Sequence, residues 1–155
     1  MVFIEEHGDI TKQPKEYVIA HCISVDCAMG AGVVVPICKK HVGLKPSCKE
    51  YVRKNPNALG FAYRYEDDLG VVYNMFSKQN VSEHAGYLIS YEQYLSQLKR
   101  CLESIRLQMQ LNHENYLAMP LIGCGLDRCK WDDVKEIILD VFKRTNVTIK
   151  ICLWD

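Results

Sequence analysis

Two short glycine-containing segments carry the residues best suited to bind a charged ligand. The first is MGAG at residues 29–32, and the second is GCG at residues 123–125. Glycine allows close backbone approach, and successive N–H groups in such loops can bind an anion without help from positive side chains. Three occupants are consistent with the first loop: a dinucleotide, a single phosphate, or another part of the protein.

The common nucleotide-binding motifs are missing around these glycines. Gly30 and Gly32 are followed by Val35 where the dinucleotide fingerprint has its third glycine, and no phosphate-loop motif of the G-x-x-x-x-G-K-[ST] type occurs. Two loops that each expose N–H groups to one cleft would still suit a diphosphate. The glycines could equally serve only to make tight turns, and the residues alone leave both interpretations open.

The hydrophobic pattern predicts the elements that must position these loops. Apolar runs and alternation predict six strands, at residues 2–6, 17–22, 61–65, 71–76, 116–121 and 147–153. Helical spacing predicts helices at residues 33–41, 46–55 and 131–145, and one more that begins after a capping box at Ser90 and Gln93. The apolar stripe of this last helix, which we interpret as core packing, consists of Tyr94, Leu95, Leu98, Leu102, Ile105 and Met109. We interpret the polar segment 77–86 as a loop that is mobile without ligand.

The alternation of strands and helices predicts an α/β fold, a three-layer α/β/α sandwich with a central mixed sheet. No repeat, linker or low-complexity tract divides the chain, so residues 1–155 are predicted to form one domain. Ligands of such open sheets bind beyond the carboxyl ends of the strands. Because both glycine loops follow strands, we expect them to open at one edge of the sheet and to form a single site.

Composition narrows the class of protein. The chain has 19 basic residues (lysine and arginine) and 19 acidic residues (aspartate and glutamate). This balance argues against binding of duplex nucleic acid over a broad surface, although it is compatible with a local basic patch. No apolar run reaches the ~18 residues of a membrane span, and the N-terminus lacks the pattern of a secretory signal. We therefore expect an intracellular protein that does not associate with membranes.

The eight cysteines do not form a recognisable metal or disulfide pattern. There is no C-x-x-C pair, and the nearest spacings, Cys22 to Cys27 and Cys124 to Cys129, each enclose four residues. Several lie in apolar segments, where a free cysteine acts as a small buried hydrophobe. We expect no metal site, no disulfide framework and no cofactor.

Three segments taken together resemble the macrodomain family. They are GDITK at residues 8–12, AHCISVDCAMGAG at 20–32 and PLIGCGLDRCKW at 120–131, and the last two are most similar to the branch of terminal ADP-ribose protein glycohydrolases. The resemblance extends in order over essentially the whole chain. It implies the macrodomain fold, with ADP-ribose as the ligand and the first glycine loop around its diphosphate and distal ribose.

The resemblance also implies which residues bind that ligand. They are Asp9, Ile10, Ser24, Met29, Gly30, Ala31, Gly32, Leu121, Ile122, Gly123, Cys124, Gly125, Leu126 and Trp154. Asp9 would accept from the adenine amino group, as a carboxylate is suited to do, although a turn cap is the simpler role for such a residue. Trp154 would lie near adenine, or would alternatively plug the end of the last strand.

At two positions the sequence differs from the family pattern, which limits the residue roles that the resemblance implies for this chain. Many macrodomains carry an asparagine after the second strand that helps to place the distal ribose, whereas this chain reads AHCIS there. Water-mediated hydrolysis of the kind ascribed to those branches is therefore not supported. Ala28 stands where relatives on the glycohydrolase branch often have arginine.

Lys78 and Asp127 match the catalytic lysine and aspartate of the glycohydrolase branch. The resemblance implies that the Lys78 amine attacks the anomeric carbon of the distal ribose and that Asp127 accepts and returns protons during the reaction. A free lysine, with a pKa of about 10.4, must first lose a proton, which an ionised carboxylate could accept. Without the resemblance, Lys78 would be an ordinary surface charge and Asp127 an acid stabilising the helix that begins near Trp131.

Three functions remain open at this point. The first is an enzyme that releases ADP-ribose from ester-type linkages on acidic side chains; the second is a reader that binds ADP-ribose without cleaving it. The third is hydrolysis of ADP-ribose 1″-phosphate or O-acetyl-ADP-ribose. We expect ADP-ribose or ADP-ribosylated protein as the partner, with ADP-ribosylated nucleic acid as a variant, for a monomer in the cytoplasm or, in a eukaryote, also the nucleus.

Overall fold

The computed structural model describes residues 1–154 and builds them from eight strands and four helices. The strands are β1 (Val2–His7), β2 (Val18–Ser24), β3 (Ala62–Asp67), β4 (Gly70–Lys78), β5 (His84–Ala85), β6 (Leu88–Ile89), β7 (Tyr116–Met119) and β8 (Thr148–Leu153). The helices are α1 (Val34–Lys40), α2 (Leu44–Lys54), α3 (Tyr91–Leu111) and α4 (Trp131–Phe142), and a short 3₁₀ turn covers Ile10–Lys12.

Six of these strands form one mixed sheet in the order β1-β8-β7-β2-β4-β3. The pairs β1–β8, β7–β8, β2–β7 and β2–β4 are parallel. The β3–β4 pair is antiparallel, and its last paired residues are Asp67 and Gly70. Parallel neighbours place their carboxyl ends on one edge of the sheet, where the loops that follow them must meet.

Helices cover both faces of this sheet, so the predicted three-layer sandwich is confirmed. On one face, α3 and α4 pack through fully buried side chains such as Leu98, Ile105 and Ile138. On the other, α1 and α2 pack through Ile37 and Leu44. Burying a side chain of this size stabilises the fold by about 1.5–3 kcal/mol, which is why the two apolar faces decide the layering.

Local signals in the sequence account for several helix ends. The Ser90 hydroxyl accepts from the Gln93 backbone N–H at 3.0 Å, which confirms the predicted start of α3. Pro36 and Pro46 are each the third residue of their helices, where a missing N–H removes no intrahelical bond.

None of the helices formed by residues 1–154 is long and apolar enough to cross a membrane.

The segment 77–86 differs from its prediction. Ser77 and Lys78 are the last residues of β4 and are buried, and Lys78 pairs with Ser24 of β2. Further on, β5 and β6 form a separate two-stranded sheet. The interpretation as a single loop was wrong because Ser77 and Lys78 extend the strand, where their polar side chains are buried against neighbouring segments and are not solvated. The mobility expected of residues 79–86 stays a prediction.

Candidate functional site

Both glycine loops open at the carboxyl edge of the sheet, as predicted. Residues 25–33 follow β2 and residues 120–130 follow β7, its parallel neighbour. A Cβ atom on Gly32 would lie 3.6 Å from Leu126 Cδ1, so the two loops touch. Met29, Gly32 and Gly123 have positive φ angles (49°, 78° and 71°), a left-handed conformation that also occurs in anion-binding backbone turns.

A cleft of about 510 Å³ lies between these loops, within the range of small-molecule sites. Predicted residues that line it are Lys78, Asp127, Gly32, Leu121, Ile122, Gly123, Cys124, Gly125, Leu126 and Trp154. Residues that sequence reasoning missed also line it: Cys22, Val33, Pro120 and Cys152. Trp154 is 68% exposed, so it borders the opening and does not plug the core.

The remaining predicted residues lie at the same edge but outside the cleft lining. Asp9 Oδ1 accepts from the backbone N–H of Thr11 at 2.8 Å and from its hydroxyl at 2.7 Å, so this carboxylate caps the 3₁₀ turn. These hydrogen bonds lower the pKa of Asp9. The Ile10 side chain is buried in the core. Since β1 and β8 end in register at His7 and Leu153, the Asp9 turn and Trp154 occupy neighbouring positions.

Asp26 organises the first glycine loop. Its Oδ1 accepts from the buried Ser24 hydroxyl at 2.5 Å and from the Ala28 N–H at 3.1 Å, while Oδ2 accepts from the Val81 N–H at 3.0 Å. Burial alone would raise the pKa of Asp26, but these hydrogen bonds outweigh it and lower the pKa. The predicted contact residue Ser24 therefore uses its hydroxyl inside the protein, to hold the loop.

Within this loop, the predicted residues differ in exposure. Met29 is buried and anchors the loop to the protein, whereas Gly30 and Ala31 are exposed. Exposed backbone of this kind can offer its N–H groups to an anion.

Lys78 and Asp127, 49 residues apart in the chain, meet in the cleft. Lys78 Nζ lies 2.6 Å from Asp127 Oδ1, and the two side chains are 9% and 10% exposed. Lys78 Nζ also donates to the Val81 carbonyl at 3.1 Å. β4 carries the amine and the loop after β7 carries the carboxylate, so the two come from opposite sides of β2.

Tyr94 is a third member of this arrangement, and sequence reasoning placed it only in the apolar stripe of α3. Its hydroxyl donates to Asp127 Oδ2 and lies 3.3 Å from Ser77 Oγ. Burial raises the pKa of Tyr94 well above its ordinary value, so the hydroxyl keeps its proton. The hydroxyl group of Tyr94 is the feature of the sequence that could have indicated this role, because a buried tyrosine needs a hydrogen-bond partner and a buried phenylalanine does not. We call Lys78, Asp127 and Tyr94 the cleft cluster.

The cysteines near the cleft are not activated. Burial raises the pKa of the Cys22 thiol to about 12 and that of Cys124 to about 11, so both are protonated at neutral pH. Burial also lowers the pKa of His21 to about 4, and its Nε2 lies 2.7 Å from Asn74 Oδ1 inside the sheet. All eight cysteines are free, and residues 1–154 contain no cluster of three potential metal ligands.

Comparison with known proteins finds two similar proteins that have the same name. No family model matches the chain. It is 32% identical to human "ADP-ribose glycohydrolase OARD1" over 144 residues, which cover 93% of this chain and 86% of that protein. The cattle protein of the same name is 31% identical over the same shares of both chains.

Solved structures share the fold at low identity. The macrodomain of Thermus aquaticus DarG superposes with a TM-score of 0.82 at 15% identity, with 97% of each chain covered. Thermosipho africanus DarTG in complex with ADP-ribose gives a TM-score of 0.83 at 15% identity, covering 98% of this chain and 41% of that one. At such identities these likenesses show the architecture alone.

Proposed function

The chain belongs to the macrodomain family, and from that premise we propose that it is an ADP-ribose glycohydrolase that acts through Lys78 and Asp127. The observation that carries the proposal is the 2.6 Å contact between Lys78 Nζ and Asp127 Oδ1 in the wall of a ligand-sized cleft. A reader module needs the cleft but has no need of an amine and a carboxylate buried together, since burying charges is costly. The similarity to "ADP-ribose glycohydrolase OARD1" supports the same activity.

We place the ligand by matching its chemistry to the edge of the sheet. The diphosphate would lie on the N–H groups of the two glycine loops, where anions bind without positive side chains. Adenine would lie toward the Asp9 turn and Trp154, whose exposed ring offers a flat apolar surface. The distal ribose would then reach the cleft cluster.

The proposed reaction begins with activation of the lysine. Asp127 accepts a proton from Lys78, and the neutral amine attacks the anomeric carbon of the distal ribose. A C–N bond forms while the bond from that carbon to the ester oxygen breaks. Asp127 then passes its proton to the leaving carboxylate, so the substrate's side chain departs as a neutral acid.

Water completes the cycle. Asp127, ionised again, takes a proton from water, whose oxygen bonds to the anomeric carbon as the C–N bond breaks. The lysine amine leaves with the electron pair and recovers its proton from Asp127. The balance is one water consumed, with ADP-ribose and a free acid released. The substrate class we propose is protein carrying ADP-ribose on acidic side chains.

Release of ADP-ribose from a glutamate-linked substrate tests the proposal. We expect the wild type to release it and Lys78→Ala and Asp127→Ala each to lose at least roughly 10²-fold in rate, because each removes a proton-transfer or nucleophilic group. Lys54→Ala is the matched control, since Lys54 lies on α2, 65% exposed, and pairs only at 3.5 Å with Glu50. Mass spectrometry of trapped enzyme should find an ADP-ribose-sized adduct on Lys78.

Other results would assign other functions. If wild type and both variants bind ADP-ribose but none releases it, the protein is a reader. Activity confined to ADP-ribose 1″-phosphate or O-acetyl-ADP-ribose would indicate a small-molecule hydrolase. Full activity of Lys78→Ala would eliminate the lysine nucleophile.

A further inference from the structure

We infer that Tyr94 is a positioning residue for the proposed reaction, fixing the Asp127 carboxylate and the second glycine loop relative to each other. The inference rests on the proposed function and adds to it a residue that contacts neither the ligand nor its reacting atoms. Tyr94 is fully buried beneath the cleft, and it acts through the groups it contacts.

The first contact is with the carboxylate. Asp127 Oδ1 faces Lys78 Nζ at 2.6 Å, and Oδ2 accepts from the Tyr94 hydroxyl. A carboxylate otherwise turns readily about its last torsion, because that torsion has a broad, shallow profile. With the hydroxyl holding Oδ2, the oxygen that exchanges protons with the amine stays directed at it.

The second contact is with the glycine loop. A Cβ atom on Gly123 would lie 3.4 Å from Tyr94 Cε1 and 3.5 Å from its hydroxyl oxygen, so the ring packs directly beneath this residue. Gly123 has a φ of 71°, and its carbonyl accepts from the Cys129 N–H at 2.8 Å, which closes the loop. One rigid ring therefore supports both the phosphate-binding backbone and the carboxylate.

The helix that carries Tyr94 is also tied to the lysine strand. One turn further along α3, Gln97 Nε2 donates to the Ser77 carbonyl at 2.7 Å, next to Lys78. Ser77 Oγ in turn lies 3.3 Å from the Tyr94 hydroxyl. α3 thus sets the position of the amine, the carboxylate and the loop together.

Four titratable groups face Asp127 from the surrounding elements: Lys78, Tyr94, Cys22 and Cys129. Burial raises the pKa of each of the two thiols to about 12, so neither ionises between pH 4 and pH 9. A hydrogen bond to a carboxylate favours its ionised form and lowers its pKa. Loss of the Tyr94 hydroxyl should therefore move the acid limb of the pH–rate profile to higher pH.

Tyr94→Phe tests the inference, because it removes the hydroxyl and keeps the ring under Gly123. We expect kcat to fall roughly 10-fold, the value of one hydrogen bond to a charged group, with KM and the Kd for ADP-ribose within about 2-fold. The acid limb should shift upward. Tyr91→Phe is the matched control: it removes a hydroxyl on the same helix that donates to Asp133 at 2.6 Å and accepts from the Lys130 N–H at 2.9 Å, and these partners are not members of the cleft cluster.

The outcomes separate the inference from the function on which it rests. A wild type that releases no ADP-ribose overturns the proposed function. An active wild type with an equally active Tyr94→Phe variant and an unmoved acid limb overturns only the role of Tyr94. Equal losses in Tyr94→Phe and Tyr91→Phe, with an unmoved acid limb in both, would indicate a general packing effect and also overturn it.

Discussion

Two clusters in this protein each combine a cation, a carboxylate and a buried tyrosine hydroxyl. One is the cleft cluster. The other, which we call the Arg64 cluster, joins Arg64 of β3, Tyr73 of β4 and Glu114, which follows α3. Arg64 reaches Glu114 Oε2 through Nη2 at 2.7 Å and Nε at 3.2 Å, and the Tyr73 hydroxyl donates to Oε1 at 2.5 Å.

The type of cation separates the two clusters. Burial alone would lower the pKa of Arg64, but hydrogen bonds and attraction from Glu114 raise it, so the guanidinium is always charged and cannot act as a nucleophile. Its two bonds to one carboxylate suit it to holding β3 against the end of α3. A lysine amine can give up its proton, and only the cleft cluster adjoins the two glycine loops. A cation paired with a carboxylate and a tyrosine hydroxyl therefore does not by itself identify a candidate catalytic site.

The strongest test exchanges the cation in the cleft cluster. Lys78→Arg keeps a positive charge beside Asp127 but removes the proposed nucleophile, so release of ADP-ribose should fall by roughly 10³-fold or more. Single-turnover rates with a glutamate-linked substrate measure this. Calorimetric titration should still detect ADP-ribose binding. Release within tenfold of the wild-type rate would show that charge alone is sufficient.

Removal of the cation from the Arg64 cluster should instead affect stability. Arg64→Met leaves Glu114, 11% exposed, without its main partner, and we expect a loss of about 2 kcal/mol in the free energy of unfolding. Urea titration followed by circular dichroism measures this. The matched control is Arg53→Met, a 69% exposed arginine on α2, which should leave the free energy of unfolding close to the wild-type value because solvent screens its pair with Glu50. A slower release reaction in folded Arg64→Met would contradict the division between the clusters.

The tyrosine of the Arg64 cluster provides a finer comparison. Tyr73→Phe removes one hydrogen bond to a charged group, so the free energy of unfolding should fall by about 1.5 kcal/mol. Release of ADP-ribose and its pH profile should match the wild type, unlike those of Tyr94→Phe. If Tyr73→Phe and Tyr94→Phe shifted the acid limb of the pH–rate profile equally, the two hydroxyls would have the same long-range effect. That result would contradict the difference we propose between the two clusters.

The smallest expected effect concerns Asp26, which borders the cleft cluster. Its folded-state pKa is lowered, so its contribution to stability is present above its unfolded pKa and is lost as pH falls through the lower folded value. Asp26→Asn should remove that acid dependence at a cost below about 1 kcal/mol, because the side chain is exposed and solvent screens it.

Hydrogen exchange adds a local readout for Asp26. The Val81 N–H, which donates to Asp26 at 3.0 Å, should exchange faster in Asp26→Asn than in the wild type. The matched comparison is Asp140→Asn, an exposed acid on α4 that pairs with Lys99 and Lys143. Unchanged exchange at Val81 would indicate that the glycine loop does not depend on this carboxylate.

Much of the architecture follows from the sequence alone. Apolar periodicity predicted the layers, the mixed sheet and the position of both glycine loops at one edge, since strand direction dictates where the following loop emerges. The Ser90 cap and the apolar stripe of α3 were equally readable, because they depend on neighbours within a few residues. These features are local, or follow from the pattern of burial.

The assembly of the site depends on contacts between segments that are distant in the chain. The polarity around Lys78 was typical of a loop, yet this residue ends a buried strand, and Tyr94 looked like core until its hydroxyl met Asp127. Those partners are 33 and 49 residues apart in the chain. Apolar periodicity records whether a side chain is buried, but the partner of a buried polar group depends on which distant segments the fold brings within about 3 Å of it.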